Sequence, residues 1–203
     1  AVTRTEKVAI FGDYDVDGAT SAALLAWYLR QCGCDPLIHI PDRIFEGYGP
    51  NVEAVRALAA KGASLLVTVD CGTVSFEPFD EAKAREMDVV VIDHHQCGAE
   101  LPLIHALVNP NRPDDLSGLG YLAAVGLVFI ALVALNRELR NRNFWNAARP
   151  EPDLLSMLHL VALGTVADVA KLTGLNRAFV AKGLQALRQR HHVGLTALMD
   201  VAR

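Results

Sequence analysis

Three short apolar runs, residues 8–11, 65–69 and 89–92, each hand the chain to an acid, and helix-patterned segments separate them. Val8-Ala9-Ile10-Phe11 leads through Gly12 to Asp13, Leu65-Leu66-Val67-Thr68-Val69 to Asp70, and Val89-Val90-Val91-Ile92 to Asp93. Runs this apolar and rich in β-branched residues suit strands covered on both faces. Strands that alternate with helices join by right-handed crossovers into a parallel sheet. Sites in such sheets form beyond the carboxyl ends of the strands. The pattern therefore predicts an α/β fold, a parallel sheet flanked by helices, with three acids converging on one rim.

The rest of the chain follows the same spacing. Ala23, Leu24, Trp27 and Tyr28 recur at helical intervals over residues 20–31, and Gly33 supplies a stop. A strand is expected at 37–40, a Gly- and Pro-containing loop at 43–50, a helix at 52–61 capped by Asn51, and a short helix at 81–86. Residues 106–108, followed by Asn109-Pro110-Asn111, predict a last strand and turn. Beyond it the pattern is helical over 119–140, 153–163, 175–190 and, briefly, 196–201, while 141–152, with two prolines, reads as a flexible connection. A fourth acid, Asp168, falls in a Gly-started turn over 164–169 among apolar neighbours, where a lone carboxylate is costly without a partner. This divides the chain into an α/β core over 1–140 and a helical part of the same domain over 141–203.

Composition narrows the function classes. A chain of 203 residues that is 52% hydrophobic can bury a large core, which excludes disorder. The net charge of −4 gives no global basic field, so any polyanion must be met by local basic patches or metals. Cys32, Cys34, Cys71 and Cys97 form no Cys-x-x-Cys pair; they suggest neither a zinc ribbon nor a disulfide framework, and read as reduced thiols of a cytoplasmic protein. No secretory leader is expected at the start of the chain. The longest apolar run, 119–135, has 17 residues and contains Gly120 and Gly126, which fits a buried helix better than a membrane span.

The acids carry the chemistry. If Asp13-Tyr14-Asp15-Val16-Asp17-Gly18 is extended, alternate side chains point the same way and three like charges crowd together, a strain that a divalent cation relieves. The bland alternative is a solvated Asp-rich turn before a helix. Together with Asp70, Asp93, His94, His95 and Asp168 the set is oxygen-rich with one or two imidazoles, which suits Mn2+ or Mg2+ better than structural zinc. So many carboxylates can hold two ions roughly 4 Å apart, the arrangement used for in-line hydrolysis of phosphorus esters and anhydrides.

Four ordered motifs, Asp-Tyr-Asp-Val-Asp-Gly (13–18), Val-Asp-Cys-Gly (69–72), Asp-His-His (93–95) and Gly-Thr-Val-Ala-Asp-Val (164–169), resemble those of the DHH phosphoesterases, and within them the RecJ-type single-strand-specific exonucleases. Arg43 with Glu46-Gly47-Tyr48-Gly49, the Asn109-Pro110 turn and Asn176-Arg177 extend the resemblance over nearly the whole chain. It implies a metal-dependent phosphodiesterase that degrades single-stranded DNA from 5′ to 3′ in repair and recombination, with a single-strand-binding protein and a helicase as partners. By position, Asp15, Asp17, Asp70, His94 and Asp168 would ligate the metals with Asp70 as the bridge, and Asp13 would ligate or support them. Asp93 would orient the histidines and His95 would sit near the scissile phosphate. Arg43, Tyr48, Asn176 and Arg177 would meet the substrate, Arg43 on phosphate and Tyr48 by stacking a base. The resemblance also implies a Gly-rich DHHA1 domain and an OB-fold, which this sequence lacks. Alternatives are hydrolysis of oligoribonucleotides, cyclic dinucleotides or pyrophosphate within the same superfamily, and a catalytically inactive replication scaffold.

Other residues have plainer readings. His39, His105 and His159 stand alone among apolar neighbours as structural histidines, His191 and His192 belong to an exposed helix end, and Cys71 packs beneath the site as a small hydrophobe.

Overall fold

In the computed structural model, residues 1–202 are described. Strands β1 (Val8–Gly12), β2 (Leu37–His39), β3 (Leu65–Val69), β4 (Asp88–Ile92) and β5 (Ala106–Val108) form one parallel sheet in the order β2-β1-β3-β4-β5. The helices are α1 (Val16–Gln31), α2 (Val52–Ala60), α3 (Phe76–Ala84), α4 (Ala124–Asn141), α5 (Leu158–Ala167), α6 (Gly174–Arg188) and α7 (Val193–Val201).

Strand alternation splits the interior into two cores. Val8 and Ile10 of β1 face the core shared with α1, α4 and α5, where Leu24, Tyr28, Val128 and Val161 lie. Ala9 and Phe11 face the opposite core with Val55 and Leu58 of α2 and Phe79 and Ala82 of α3. Both faces are covered, as the unbroken apolar runs require. The chain leaves β1 toward the β2 edge and returns as β3 on the other side, so the crevice of this switch point opens between the carboxyl ends of β1 and β3. Asp13 and Asp70 stand there.

Several boundaries differ from the sequence pattern, each for a local reason. Helix α1 starts at Val16 rather than at residue 20, because the Asp15 carboxylate accepts the Gly18 N–H at 2.9 Å and caps it. Asp13, Asp15 and Asp17 are therefore the residue after a strand, a helix cap and a first-turn residue, not one face of an extended segment. Gly18 is demanded by close approach: a Cβ there would lie 2.5 Å from the Asp13 carbonyl oxygen. Residues 164–167 are the last turn of α5 rather than a turn of their own, and Asp168 is its C-cap. Gly164 survives inside that helix because a Cβ would come within 2.4 Å of Thr20 Oγ1 on α1.

Helix α3 begins at Phe76, earlier than the pattern suggests, and α4 at Ala124, later, after a loop from Leu119 to Ala123. The stretch 141–152 is pinned rather than flexible. Trp145 meets Tyr28 edge-on with centroids 6.3 Å apart, Asn146 pairs with Arg149, and Arg140 binds Glu151. His39 and His105 find carboxylates in Glu46 and Asp88. His159 is less satisfied than expected: Nδ1 bonds the Ser156 carbonyl but Nε2 has no hydrogen-bond partner, and the ring packs 3.8 Å from that of His192, which is thus not simply solvated. No described helix is long and apolar enough to cross a membrane.

Candidate metal centre

Each acid reaches the crevice by a different device. Asp13 follows β1 directly and is buried, and its Oδ1 finds no hydrogen-bond partner. Burial pushes its carboxyl above the usual range. Asp15, the cap of α1, is exposed. Asp17 is fully buried in the first turn of α1 and accepts the N–H groups of Ala124 at 2.7 Å and Val125 at 2.9 Å, so it also caps α4. Burial pushes its carboxyl up to about 6 against the pull of the Val125 N–H. Asp70 ends β3 with a φ of 62°, in the left-handed region that Asp tolerates better than most residues. Burial raises it to about 8, opposed by the hydrogen bond from His94.

The Asp-His-His segment is held from behind. Asp93 has both oxygens saturated: Oδ2 accepts the Thr73 N–H at 3.0 Å and Oγ1–H at 2.6 Å, and Oδ1 accepts the His94 N–H at 2.8 Å and His95 Nδ1–H at 2.7 Å. Burial works against its charge, yet the bonds from His95 and Thr73 outweigh this and hold the carboxyl well below the usual range. Asp93 is thus an anchor for the histidine backbone and for His95, with no free lone pair aimed at a cation. His94 directs Nδ1 to the Leu122 carbonyl at 3.0 Å, which leaves Nε2 facing Asp70 Oδ1 at 3.1 Å and Asp17 Oδ2 at 3.9 Å. A backbone acceptor on the far nitrogen is how proteins orient a ligating imidazole. Burial opposes protonation of His94, but Asp70, then Asp17 and Asp168, hold it up at about 9.

Three overlapping sets of donor atoms result: Asp13, Asp15 and Asp70; Asp70, His94 and His95; and Asp17, His94 and Asp168, with the atoms of each set within 4.8 Å of one another. Asp70 and His94 each belong to two sets. The unpartnered Asp13 oxygen and the upward push on Asp13, Asp17, Asp70 and Asp168 mark a site short of positive charge. Carboxylates with one or two imidazoles fit Mn2+ or Mg2+.

The expected substrate residues fare unevenly. Arg43 lies on the loop before α2, its guanidinium 5.1 Å above the Tyr14 ring. Tyr48 places its hydroxyl 3.2 Å from His95. Asn176 does not face the crevice: it is fully buried, and Nδ2 binds the carbonyls of Tyr121 and Lys171, because α6 needs that tie to the loop before α4. Exposed Arg177 donates to the Leu172 carbonyl. Sequence reasoning missed Thr73, and it missed Asn109 and Asn111 as parts of the site. Asn109 Nδ2 donates to Thr73 Oγ1 and to the His95 carbonyl, and Asn111 Nδ2 to the His94 carbonyl. A hydroxyl four residues after a strand and a turn asparagine are common enough to carry no signal alone.

A sequence profile described as the DHH family, N-terminal domain, matches residues 7–165. The chain belongs to the DHH family. The matched segment holds every residue of the three donor sets in this DHH chain except Asp168, which follows it by three positions. A relative in Dickeya dadantii, named single-stranded-DNA-specific exonuclease RecJ, is 42% identical over 206 residues, covering 100% of this chain and 36% of that protein. A crystal structure of exonuclease RecJ bound to manganese superimposes with a TM-score of 0.83 at 34% identity, over 98% of this chain and 48% of that one. A crystal structure of RecJ from Thermus thermophilus in complex with Mg2+ gives 0.63 at 29% identity, over 99% and 24%. The DHH chain described here thus spans about a third of the curated relative.

Proposed function

We propose that this chain is the catalytic DHH part of a single-strand-specific exonuclease that hydrolyses DNA phosphodiesters from 5′ to 3′ with two divalent ions, Mn2+ or Mg2+. The observation that carries the reading is the sharing of Asp70 and His94 among the three donor sets. One carboxylate common to two sets is what a pair of ions needs in order to sit close together. Asp13, Asp15, Asp17, His94 and Asp168 would complete their shells. Such ions, when bound, stabilise charge on the attacking and leaving oxygens of an in-line displacement. The chain itself orients His94 through Leu122, holds His95 through Asp93, and excludes water beneath the site with Cys71 and Thr68, both fully buried.

The division into a core over 1–140 and a helical part over 141–203 that supplies Asp168 belongs to this proposal. So do work in the cytoplasm and a role in repair and recombination beside a single-strand-binding protein and a helicase. The four cysteines are free thiols, as a reducing compartment favours. The remaining two thirds of a RecJ-sized protein would grip the strand, since this chain is acidic overall.

The deciding experiment incubates the chain with Mn2+ and single-stranded DNA labelled at either end, and sizes the products. Mononucleotides released first from a 5′ label support the reading. Release from the 3′ label first, or cleavage only of short ribonucleotides, rejects it.

A further inference from the structure

Tyr48 sits on the loop between β2 and α2, and the structure gives its hydroxyl a different part from its ring. The oxygen lies 3.2 Å from both ring nitrogens of His95 and 3.5 Å from the Asp70 carbonyl oxygen. The ring meets His95 edge-on, with centroids 5.6 Å apart at 72°, and meets Tyr14 edge-on at 6.4 Å and 80°. Arg43 covers Tyr14 in turn.

The loop that carries Tyr48 is clamped on itself. The Asp42 carboxylate accepts the N–H groups of Ile44 and Phe45, and the Glu46 carboxylate accepts the Asp42 N–H and bonds His39 Nε2 at 2.8 Å. The hydroxyl is therefore delivered by a fixed loop. At His95 the Asp93 carboxylate can only accept, so Nδ1 at 2.7 Å carries a proton. The Tyr48 oxygen, equidistant from Nδ1 and Nε2, meets the imidazole over the ring, apart from the Asp93 contact at Nδ1. Asp93 alone fixes one corner of the imidazole and leaves it free to tilt; a second contact away from that corner removes that freedom.

We infer that Tyr48 is a positioning residue for His95: its hydroxyl, with Asp93, locks the imidazole within reach of Asp70 and His94. The inference rests on the reading of this site as a phosphodiesterase in which His95 meets the scissile phosphate. It gives the hydroxyl a role apart from base stacking, because the oxygen points into the site.

The test compares Tyr48→Phe, which removes only the hydroxyl, with Tyr48→Leu, which also removes the ring. One readout is made on metal-free, 15N-labelled protein: the His95 ring-nitrogen resonances at one fixed pH, assigned with His95→Gln. The other is steady-state hydrolysis of single-stranded DNA with Mn2+. Tyr48→Phe should shift the His95 nitrogens and lower kcat about tenfold with KM and the thermal midpoint unchanged, as expected when a reacting group is misplaced. Tyr48→Leu should add little to the loss in kcat. Unmoved His95 resonances in Tyr48→Phe overturn the inference. So does full activity in Tyr48→Phe together with a raised KM in Tyr48→Leu, the pattern of a stacking ring. If the wild-type chain hydrolyses no nucleic acid, the proposed function fails, and the resonances of the metal-free protein still decide the role of Tyr48.

Discussion

Asp17 and Ala124 stand 107 residues apart in sequence, yet the Asp17 Oδ2 accepts the Ala124 N–H at 2.7 Å. The residue before Ala124, Ala123, has no side chain able to cap α4, so a candidate metal ligand on α1 does so instead. This couples the site to the fold. Asp17→Asn keeps an oxygen for the cap and loses the charge, whereas Asp17→Ala leaves two buried N–H groups unmet. In EDTA at pH 8 the Asn variant should exceed the Ala variant by about 1 kcal/mol, or ~2–4 °C in Tm for a chain of this size. Both should lose hydrolysis. Equal midpoints by calorimetry would mean that Asp17 does not hold α4.

Asp70 is the opposite case, since its carboxylate caps no helix and meets only the His94 imidazole, at 3.1 Å. Asp70→Asn tolerates the φ of 62° and removes a buried charge from beside Asp17 and Asp15. The metal-free variant should melt at or above the wild-type temperature. Its hydrolysis should fall at least a hundredfold, because an ion lost from a two-ion site removes several kcal/mol of transition-state stabilisation. Retention of more than about a tenth of the wild-type rate would contradict shared ligation by Asp70.

Much of this was legible in the residues themselves. Apolar runs ending in Asp13, Asp70 and Asp93 suffice for the parallel sheet and the rim on which the acids meet, because a strand covered on both faces has little other composition available. The cap by Asp15 was hidden: the same short acid serves an extended run and a helix N-terminus, and only the approach of Gly18 to Asp13 selects the helix. Asp168 was seen as an acid in need of a partner, but its place at the end of α5 follows from the packing of Gly164 against Thr20, a contact between segments far apart in the chain. Asn176 misled for a physical reason. A polar residue that ties two carbonyls inside the protein has the same letter as one that greets a substrate.

The pH dependence of the metal-free protein follows from the direction of the shifts. Asp17 is raised to about 6, Asp70 to about 8 and His94 to about 9, all above their unfolded values. The folded state thus binds more protons than the unfolded one, and stability falls as pH rises. The part due to the acids is complete below about pH 4 and lost through 6 and 8; that of His94 is complete below about 6.5 and lost through 9. Asp93, held low, is ionised throughout this window in both states and adds no slope. In EDTA the midpoint should therefore drop steadily from about pH 5.5 to about 8.5. Saturating Mn2+, which takes the deprotonated ligands, should flatten or reverse the trend. A rise in the EDTA series over that range would show that the acids are not held protonated by burial.

The last prediction concerns the grip on a nucleic-acid strand. Eight of the thirteen described arginines already pair with a carboxylate: Arg4 with Glu6, Arg30 with Asp35, Arg56 and Arg85 with Glu81, Arg112 with Asp114, Arg140 with Glu151, Arg142 with Glu138, and Arg190 with Asp200. Arg43 stands over Tyr14, the neighbour of Asp13 and Asp15. With 23 acids against 19 Lys and Arg, the chain can neutralise few phosphates. Binding of single-stranded DNA, measured by fluorescence anisotropy with Ca2+ in place of Mn2+, should therefore show a shallow dependence on salt. A slope of log K against log salt near −0.7 per phosphate contact gives about −1 to −2 here, and Arg43→Ala should reduce it by about one contact. A slope steeper than about −4 would mean that this chain alone presents a complete basic groove.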